Sequence, residues 1–452
     1  MRENTNGEIL MARRSIKNWL AGVASLLLMP TLLAAQAPAP NPEAPETAAP
    51  SRAPELGADD SRAFPAVRMV EGLPFETRPP EKADDKPLFP QQTRAPYHKA
   101  ADYTVATITN KLHLPWCIAF LPDGKFLITE KENPSALRIV DKDGTISAPI
   151  AGLATLAAPD KLGLLDVALD PNFAKSKRVF FTFFERLQDG YSNTYVARGV
   201  LDETAGALYE VTVIFRAIPA APAKNFSMKQ GGRIAFATDG SLFLPIGDRD
   251  QGTPWMVAQQ TDNDLGKIIH ITQDGLPAAN NPYLKKPGVL PEIWAIGTRS
   301  QEGLAFDPKT GHLWEIEHGP RGGDELNLIK PGKNYGWPII THGIDYPGVP
   351  IGEGITAKEG LEQPVYYWDP VIAPSGLAFY KGNLFPQWKN SVFVGGLRGM
   401  MLDRLELKND KVVAEEPLLT ELRSRIRDVR VGPDGAVYVL TESDRLLKLT
   451  PK

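Results

Sequence analysis

From Tyr103 onward the chain alternates short apolar runs with turns built on Gly, Asp and Pro, and no long segment holds a 3.6-residue apolar period. That pattern predicts an all-β body. A weak repeat lies on top of it, in which an apolar run meets a turn and a second apolar run follows. It reads IAFLPDGKFLITEK from Ile118, VALDPNFAKSKRVFFTF from Val167, IAFATDGSLFLPIGD from Ile234, LAFDPKTGHLWEIEHG from Leu304, LAFYKGNLFPQWKNSVFVGGL from Leu377 and VRVGPDGAVYVLTES from Val429. Successive copies start roughly 50 to 70 residues apart, which suits a four-stranded antiparallel blade. Six such blades close a ring without leaving a long exposed sheet edge. The expected fold is a six-bladed β-propeller of four-stranded antiparallel blades over residues 102–452. A β-sandwich, the all-β alternative, would not explain the sixfold recurrence.

The N-terminal region has a different texture. Residues 11–37, MARRSIKNWLAGVASLLLMPTLLAAQA, join a basic start to an apolar stretch and to small residues at Ala35 and Ala37. This reads as a secretory signal peptide over residues 1–37 whose true start is Met11. An uncleaved membrane anchor is the alternative, against which Pro30 interrupts a run that is short for a span. Residues 38–101 are rich in Ala, Pro and charge, with few large apolar side chains, and are expected to form a disordered tether. The body should therefore be soluble and exported, periplasmic or secreted, with no membrane span in the mature chain.

Composition excludes several functions. The 452 residues carry 50 Lys and Arg against 54 Asp and Glu, a formal net charge of -4, so there is no basic surface for nucleic acid. Cys117 is the single cysteine, which rules out an intrachain disulfide and a thiolate metal cluster; it reads as a core residue beside Trp116.

Propellers gather their sites where loops converge on the central channel. Four loop regions stand out there: residues 160–171, the stretch NFSMKQGGRIAFATDGSLFLPIGDRD from Asn225, residues 295–338, and RSRIRDVRVGPDG from Arg423. In EHGPRGGDELN, Asp324 and Glu325 offer carboxylates and the glycines free backbone carbonyls, a donor set that suits calcium but is also ordinary loop chemistry. Arg425 and Arg427 alternate on one strand and share a face, either as a solvated surface or as an anion site.

Taken together and in order, PWCIAFLPDGKFLITEK, GLLDVALDPNF, GGRIAF with GD following, EGLAFDP, EHGPRGGDELNLI, GKNYGWP, QPVYYWDPVIAPSGLAFY and RIRDVRVGPDGAVYVLTE resemble the soluble quinoprotein aldose sugar dehydrogenases, the glucose and sorbosone dehydrogenase type. The similarity runs from about Tyr103 to Pro451. It implies a periplasmic propeller that binds pyrroloquinoline quinone (PQQ) and Ca2+ and oxidises the C1 hydroxyl of a small-molecule sugar to a lactone. The electron acceptor is unassigned, and monomer and homodimer both remain open. By the same resemblance Arg299, Arg425 and Arg427 would grip the quinone carboxylates. Lys161, Tyr346 and Trp368 would line the cofactor, although both aromatics could equally be core. Gly319 and Pro320 would offer carbonyls to calcium, and Glu325 and Tyr335 would hold a second calcium.

One departure matters most. The family's general base is a histidine four residues before the arginine of Gly-Gly-Arg, and here that residue is Lys229, before Arg233. Lys161 and Glu302 also replace the family's usual glutamines. A histidine is largely a free base at neutral pH, whereas an ordinary lysine is protonated. A lysine acts as base there only if burial or positive neighbours disfavour its ammonium by about 4 kcal/mol. Lys161, Arg233 and Arg299 are expected to supply that repulsion, and Glu302 to oppose it. The catalytic pair is thus expected to be Lys229 and Arg233. The alternatives are a propeller that binds quinone or an anionic ligand without turnover and, more distantly, a calcium-dependent lactonase.

Overall fold

The computed structural model describes residues 69–158, 160–222, 229–249 and 256–452. The expected leader, the tether up to residue 68 and the segment 223–228 just before Lys229 lie outside the described residues. Each copy of the repeat is the inner hairpin of one antiparallel blade. The first blade holds Pro115–Phe120, Phe126–Glu130 and Ala136–Val140. The second holds Leu162–Leu169, Arg178–Arg186, Tyr191–Asp202 and Ala207–Arg216. The third holds Ala235–Phe236, Leu242–Ile246, Lys267–Ile271 and Ile293–Ile296. Gln301–Phe306, Leu313–Glu317, Asp324–Ile329 and Tyr366–Trp368 form the fourth, and Pro374–Phe379, Ser391–Gly396, Met401–Lys408 and Lys411–Leu418 the fifth. The sixth combines Ile426–Val431, Val437–Thr441 and Leu446–Pro451 with Tyr103–Thr109 from the start of the propeller, and this pairing closes the ring.

Six antiparallel blades are thus present, as the repeat predicts, with two variations in strand count. The second blade gains a short fifth strand, Ala221–Pro222, paired with Tyr191–Asp202. The first blade has three full strands; the chain that would form a fourth makes a bridge from Ile146 to Val140 and single bonds from Ser147 to Ile139 and from Ile150 to Leu137, with Pro149 offering no donor between them. The second strands of the first, third and sixth blades are buried at every residue, since each is covered by a neighbouring blade on both faces. The core therefore lies between blades. Trp116, Leu164 and Phe183 fill one such layer, and Trp314, Trp368, Leu377 and Val394 another.

Polar side chains pin the inner strands to one another. Asp166 accepts the Ile234 N–H at 2.6 Å, Asp428 accepts the Ile118 N–H at 3.0 Å, and the Ser375 hydroxyl donates to the Ile426 carbonyl at 2.6 Å. Cys117 is fully buried beside Asp166, as a core residue should be, and burial pushes its thiol well up.

Residues 69–101 are not a free tether. Phe75, Ala95 and Tyr97 are buried in the layer that contains Trp368, and Gln92 is fully buried. Arg94 donates to the carbonyls of Glu76, Arg78 and Asp369 at 2.7–2.8 Å, and Asp369 in turn accepts the N–H groups of Glu81 and Lys82. Composition missed this because a strap needs few large apolar residues when its backbone groups find partners on a surface already folded. Among the described residues no helix is long and apolar enough to cross a membrane.

Candidate active site

The Gly-Gly-Arg turn enters the channel between the second and third blades. Gly231 and Gly232 have φ of 68° and 92°, and a Cβ on Gly231 would meet the Pro245 carbonyl oxygen at 2.4 Å. Only glycine fits that approach. The turn delivers Arg233 to the channel floor, 1% exposed, with its guanidinium 3.9 Å from the Trp116 ring centroid. Arg233 lies 3.1 Å from Asp428 and 3.5 Å from Asp166, and its Nε donates to the Glu302 carbonyl at 2.7 Å. Arg430 closes the same cluster against both aspartates. Two buried ion pairs hold this guanidinium in place, and its Nη1 is left without a hydrogen bond.

Lys229, four residues earlier, is buried with φ 49°. Its Nζ lies 3.3 Å from Asp248, whose second carboxylate oxygen accepts the Trp337 indole N–H at 2.9 Å and whose N–H donates to the Arg299 carbonyl. The expected neighbours Lys161 and Arg233 are not the partners that matter: Lys161 is exposed beside Arg186, and Arg233 is occupied below. Lys229 and Asp248 thus form a buried ion pair at the turn. Asp248 was visible only as the GD that follows the Gly-Gly-Arg strand pair.

Arg299 reaches the acidic loop. Its guanidinium donates to the carbonyls of His318 and Gly319 at 2.7 and 2.9 Å, lies 5.1 Å from the Trp337 ring and comes within 3.5 Å of the Tyr346 hydroxyl. Tyr346 is exposed at the rim. Asp324, one of the two carboxylates the sequence singled out, is consumed by the backbone N–H groups of Gly319, Ile372 and Ala373. It clamps the loop to the start of the fifth blade, with Pro320 buried beside it.

Behind this loop, Arg299, Glu317, His318, Gly319, Glu325, Tyr335 and Trp337 line a small pocket with room for about one water. Glu325 stands opposite Glu317 across two strands, and Asn327 donates to both Glu325 and Glu315. Burial raises all three glutamates, Glu317 to about 7. Glu315 and Glu317 are functional candidates that the sequence reading missed, although alternate residues of WEIE point them to one face. Tyr335 lines the cavity, but its hydroxyl donates to the Leu328 carbonyl and accepts the Lys330 N–H, so its side-chain oxygen is not a free ligand. His318 Nε2–H donates to the Pro374 carbonyl at 2.7 Å; burial lowers its pKa to about 4, which keeps the ring neutral.

Arg425 and Arg427 do share a face, and both grip Glu442 from the adjoining strand end. Arg427 also reaches Glu302 at 3.4 Å. Trp368 is elsewhere. It sits on the outermost strand of the fourth blade, 4% exposed, and its indole donates to Asp403 and Glu415 at 2.9 and 3.1 Å. Its place is the inter-blade core, and the expectation of a cofactor wall is corrected.

Comparison with known proteins agrees with the propeller fold. The family model described as Glucose / Sorbosone dehydrogenase matches residues 112–448. The aldose sugar dehydrogenase YliI of Escherichia coli (strain K12) is 40% identical over 358 residues, covering 78% of this chain and 94% of that protein. The apo-form crystal structure of the soluble aldose sugar dehydrogenase from Escherichia coli superposes with a TM-score of 0.72 at 39% identity, covering 78% of this chain and 100% of that one. The PQQ-bound aldose sugar dehydrogenase of Streptomyces coelicolor gives 0.62 at 29% identity, covering 77% and 98%. With the family model matched over residues 112–448 and a relative 40% identical across most of both chains, the chain belongs to the glucose/sorbosone dehydrogenase family.

Proposed function

We propose that the protein is a periplasmic, PQQ- and Ca2+-dependent oxidoreductase that oxidises the C1 hydroxyl of aldose sugars to lactones. The observation that carries this reading is the charge arrangement around one channel mouth: arginines on the fourth and sixth blades, with buried, cation-poor carboxylates between Arg299 and the acidic loop. PQQ is a tricarboxylate, and Arg299, Arg425 and Arg427 offer the planar donors that suit carboxylates. Calcium suits the oxygen-rich loop. Burial disfavours Glu317 and Glu325 as bare anions, and Glu315 Oε1 has no hydrogen-bond partner. A divalent ion near them would relieve that cost. Among the described residues no three acidic, His or Cys side chains form a ready-made metal cage, so backbone carbonyls such as those of Gly319 and Pro320 would complete the ligand set.

When bound, the quinone supplies the hydride acceptor and the calcium the Lewis acid that polarises it. The chain must then accept the hydroxyl proton. Lys229 and Asp248 can do so as a unit: as Nζ passes a proton to the Asp248 carboxylate, it takes one from the sugar hydroxyl. The carboxylate that holds the ammonium is also the group that can discharge it, with the Trp337 indole fixing its orientation.

The test is reconstitution with PQQ and calcium, followed by dye reduction with a panel of aldoses from pH 6 to 10. Activity should rise toward alkaline pH, and Lys229→His should gain activity near neutrality. The Lys229–Asp248 ion pair also favours a second reading, a scaffold that binds quinone without turnover. Bound quinone with no dye reduction from any aldose, in either protein, would establish that second reading and overturn the first.

A further inference from the structure

Lys131 leaves the second strand of the first blade at the same channel mouth; its backbone bonds Leu114 and Leu164, but its side chain has no part in the proposed proton relay. Its Nζ lies 5.9 Å from the Phe184 ring centroid, and Arg186 covers the same ring at 5.6 Å. Its charged neighbours are Arg427, Glu132, Glu302 and Glu442. Each of those carboxylates is already taken: Glu132 by Arg186, Glu302 by Arg427, and Glu442 by Arg425 and Arg427 together. Among the described residues the Lys131 ammonium has no hydrogen bond and no ion pair. Four cations therefore face three carboxylates, and the uncompensated charge is the half-buried lysine.

Such a charge is costly in the empty protein. Burial and Arg427 both lower the Lys131 amine, against the pull of Glu132, Glu302 and Glu442. A position of this kind is useful when an anion arrives. The ammonium then gains a charge-assisted hydrogen bond at a point where water is partly excluded, and the Phe184 ring walls one side.

We propose that Lys131 is an anion-binding residue of this site, receiving a carboxylate between Arg427 and Phe184. The proposal rests on the channel mouth being the ligand site. The carboxylate has two possible sources, the quinone cofactor or an acidic sugar such as a uronate, and the experiment separates them. Apoprotein with calcium is titrated with PQQ by tryptophan fluorescence and with D-glucuronate by calorimetry, for the native protein, Lys131→Met and Lys131→Arg.

Lys131→Met should weaken one ligand by about tenfold or more, the loss expected for one hydrogen bond to a charged group. Lys131→Arg should restore most of it. A loss for PQQ assigns the lysine to the cofactor, and a loss for glucuronate alone assigns it to substrate choice. Thermal unfolding separates this role from a structural one: removing an unpaired charge should leave the melting temperature of Lys131→Met unchanged or raised. Unchanged affinity for both ligands, no binding of either by the native protein, or a marked fall in melting temperature overturns the proposal. None of these readouts needs turnover, so absence of dehydrogenase activity with intact Lys131-dependent binding would refute the enzymatic reading alone.

Discussion

At the scale of single residues, the site is a set of charges whose partners decide their chemistry. Lys229 shows this most directly, since residue type alone poses the question of a lysine base and only the folded chain pairs it with Asp248. The same holds for Glu442, where burial pushes the carboxyl up but Arg427 and Arg425 overcome it and hold it at about 2. Its folded value lies below the ordinary glutamate value near 4.3, so its contribution to stability is complete above about pH 4.3 and is lost as pH falls toward 2. The side chain keeps some exposure, 29%, and the contribution is on the order of 2 kcal/mol after solvent screening. Melting temperatures of Glu442→Gln should therefore be lower at pH 7 and fall less steeply between pH 4.3 and 2 than those of the native protein. Parallel curves would show that the two arginines do not depend on this carboxylate.

At the scale of elements, the strap over residues 69–101 stands outside the region matched by the family model and yet braces the site from behind. Glu81 pairs with Arg321 of the acidic loop at 2.6 Å, and Asp85 lies 2.9 Å from His342 in the loop that leads to Tyr346. Arg94 holds the strap in shape through three carbonyls. Arg94→Ala should cost about 1.5–3 kcal/mol, the loss expected when hydrogen bonds to a charged group are removed. Limited proteolysis should then cut first within residues 69–101 while the propeller remains intact. Cleavage at native rates would mean that the buried Phe75 and Tyr97 hold the strap without it.

At the scale of the whole molecule, the ring is a single body because its sixth blade draws strands from both ends of the propeller. Leu449 is fully buried on the strand that pairs with Tyr103–Thr109, opposite Val105 and Val437. Leu449→Ala should cost about 2–5 kcal/mol. The loss should appear as a lower midpoint of one unfolding transition, because opening this blade removes the edge that closes every other layer. Calorimetry that resolved a separate early transition for the sixth blade would contradict that coupling.

Periodic features were legible along the chain because they repeat. Six inner hairpins carry the same alternation and turn chemistry, so blade number follows from local pattern and from the need to hide sheet edges. The arginines and the acidic loop were legible as motifs. Pairings between distant positions were not, because an ion pair leaves no spacing signature: Lys229 meets Asp248 across the channel turn, Arg427 meets Glu302, and among the described residues Lys131 has no carboxylate partner because three other cations have taken the nearby ones. Trp368 shows the same limit from the other side, since its motif neighbours suggest the cofactor while the sheet order places it on an outer strand. Local periodicity decides the architecture; only the packed ring decides which charges meet, because burial and approach distance set what each group does.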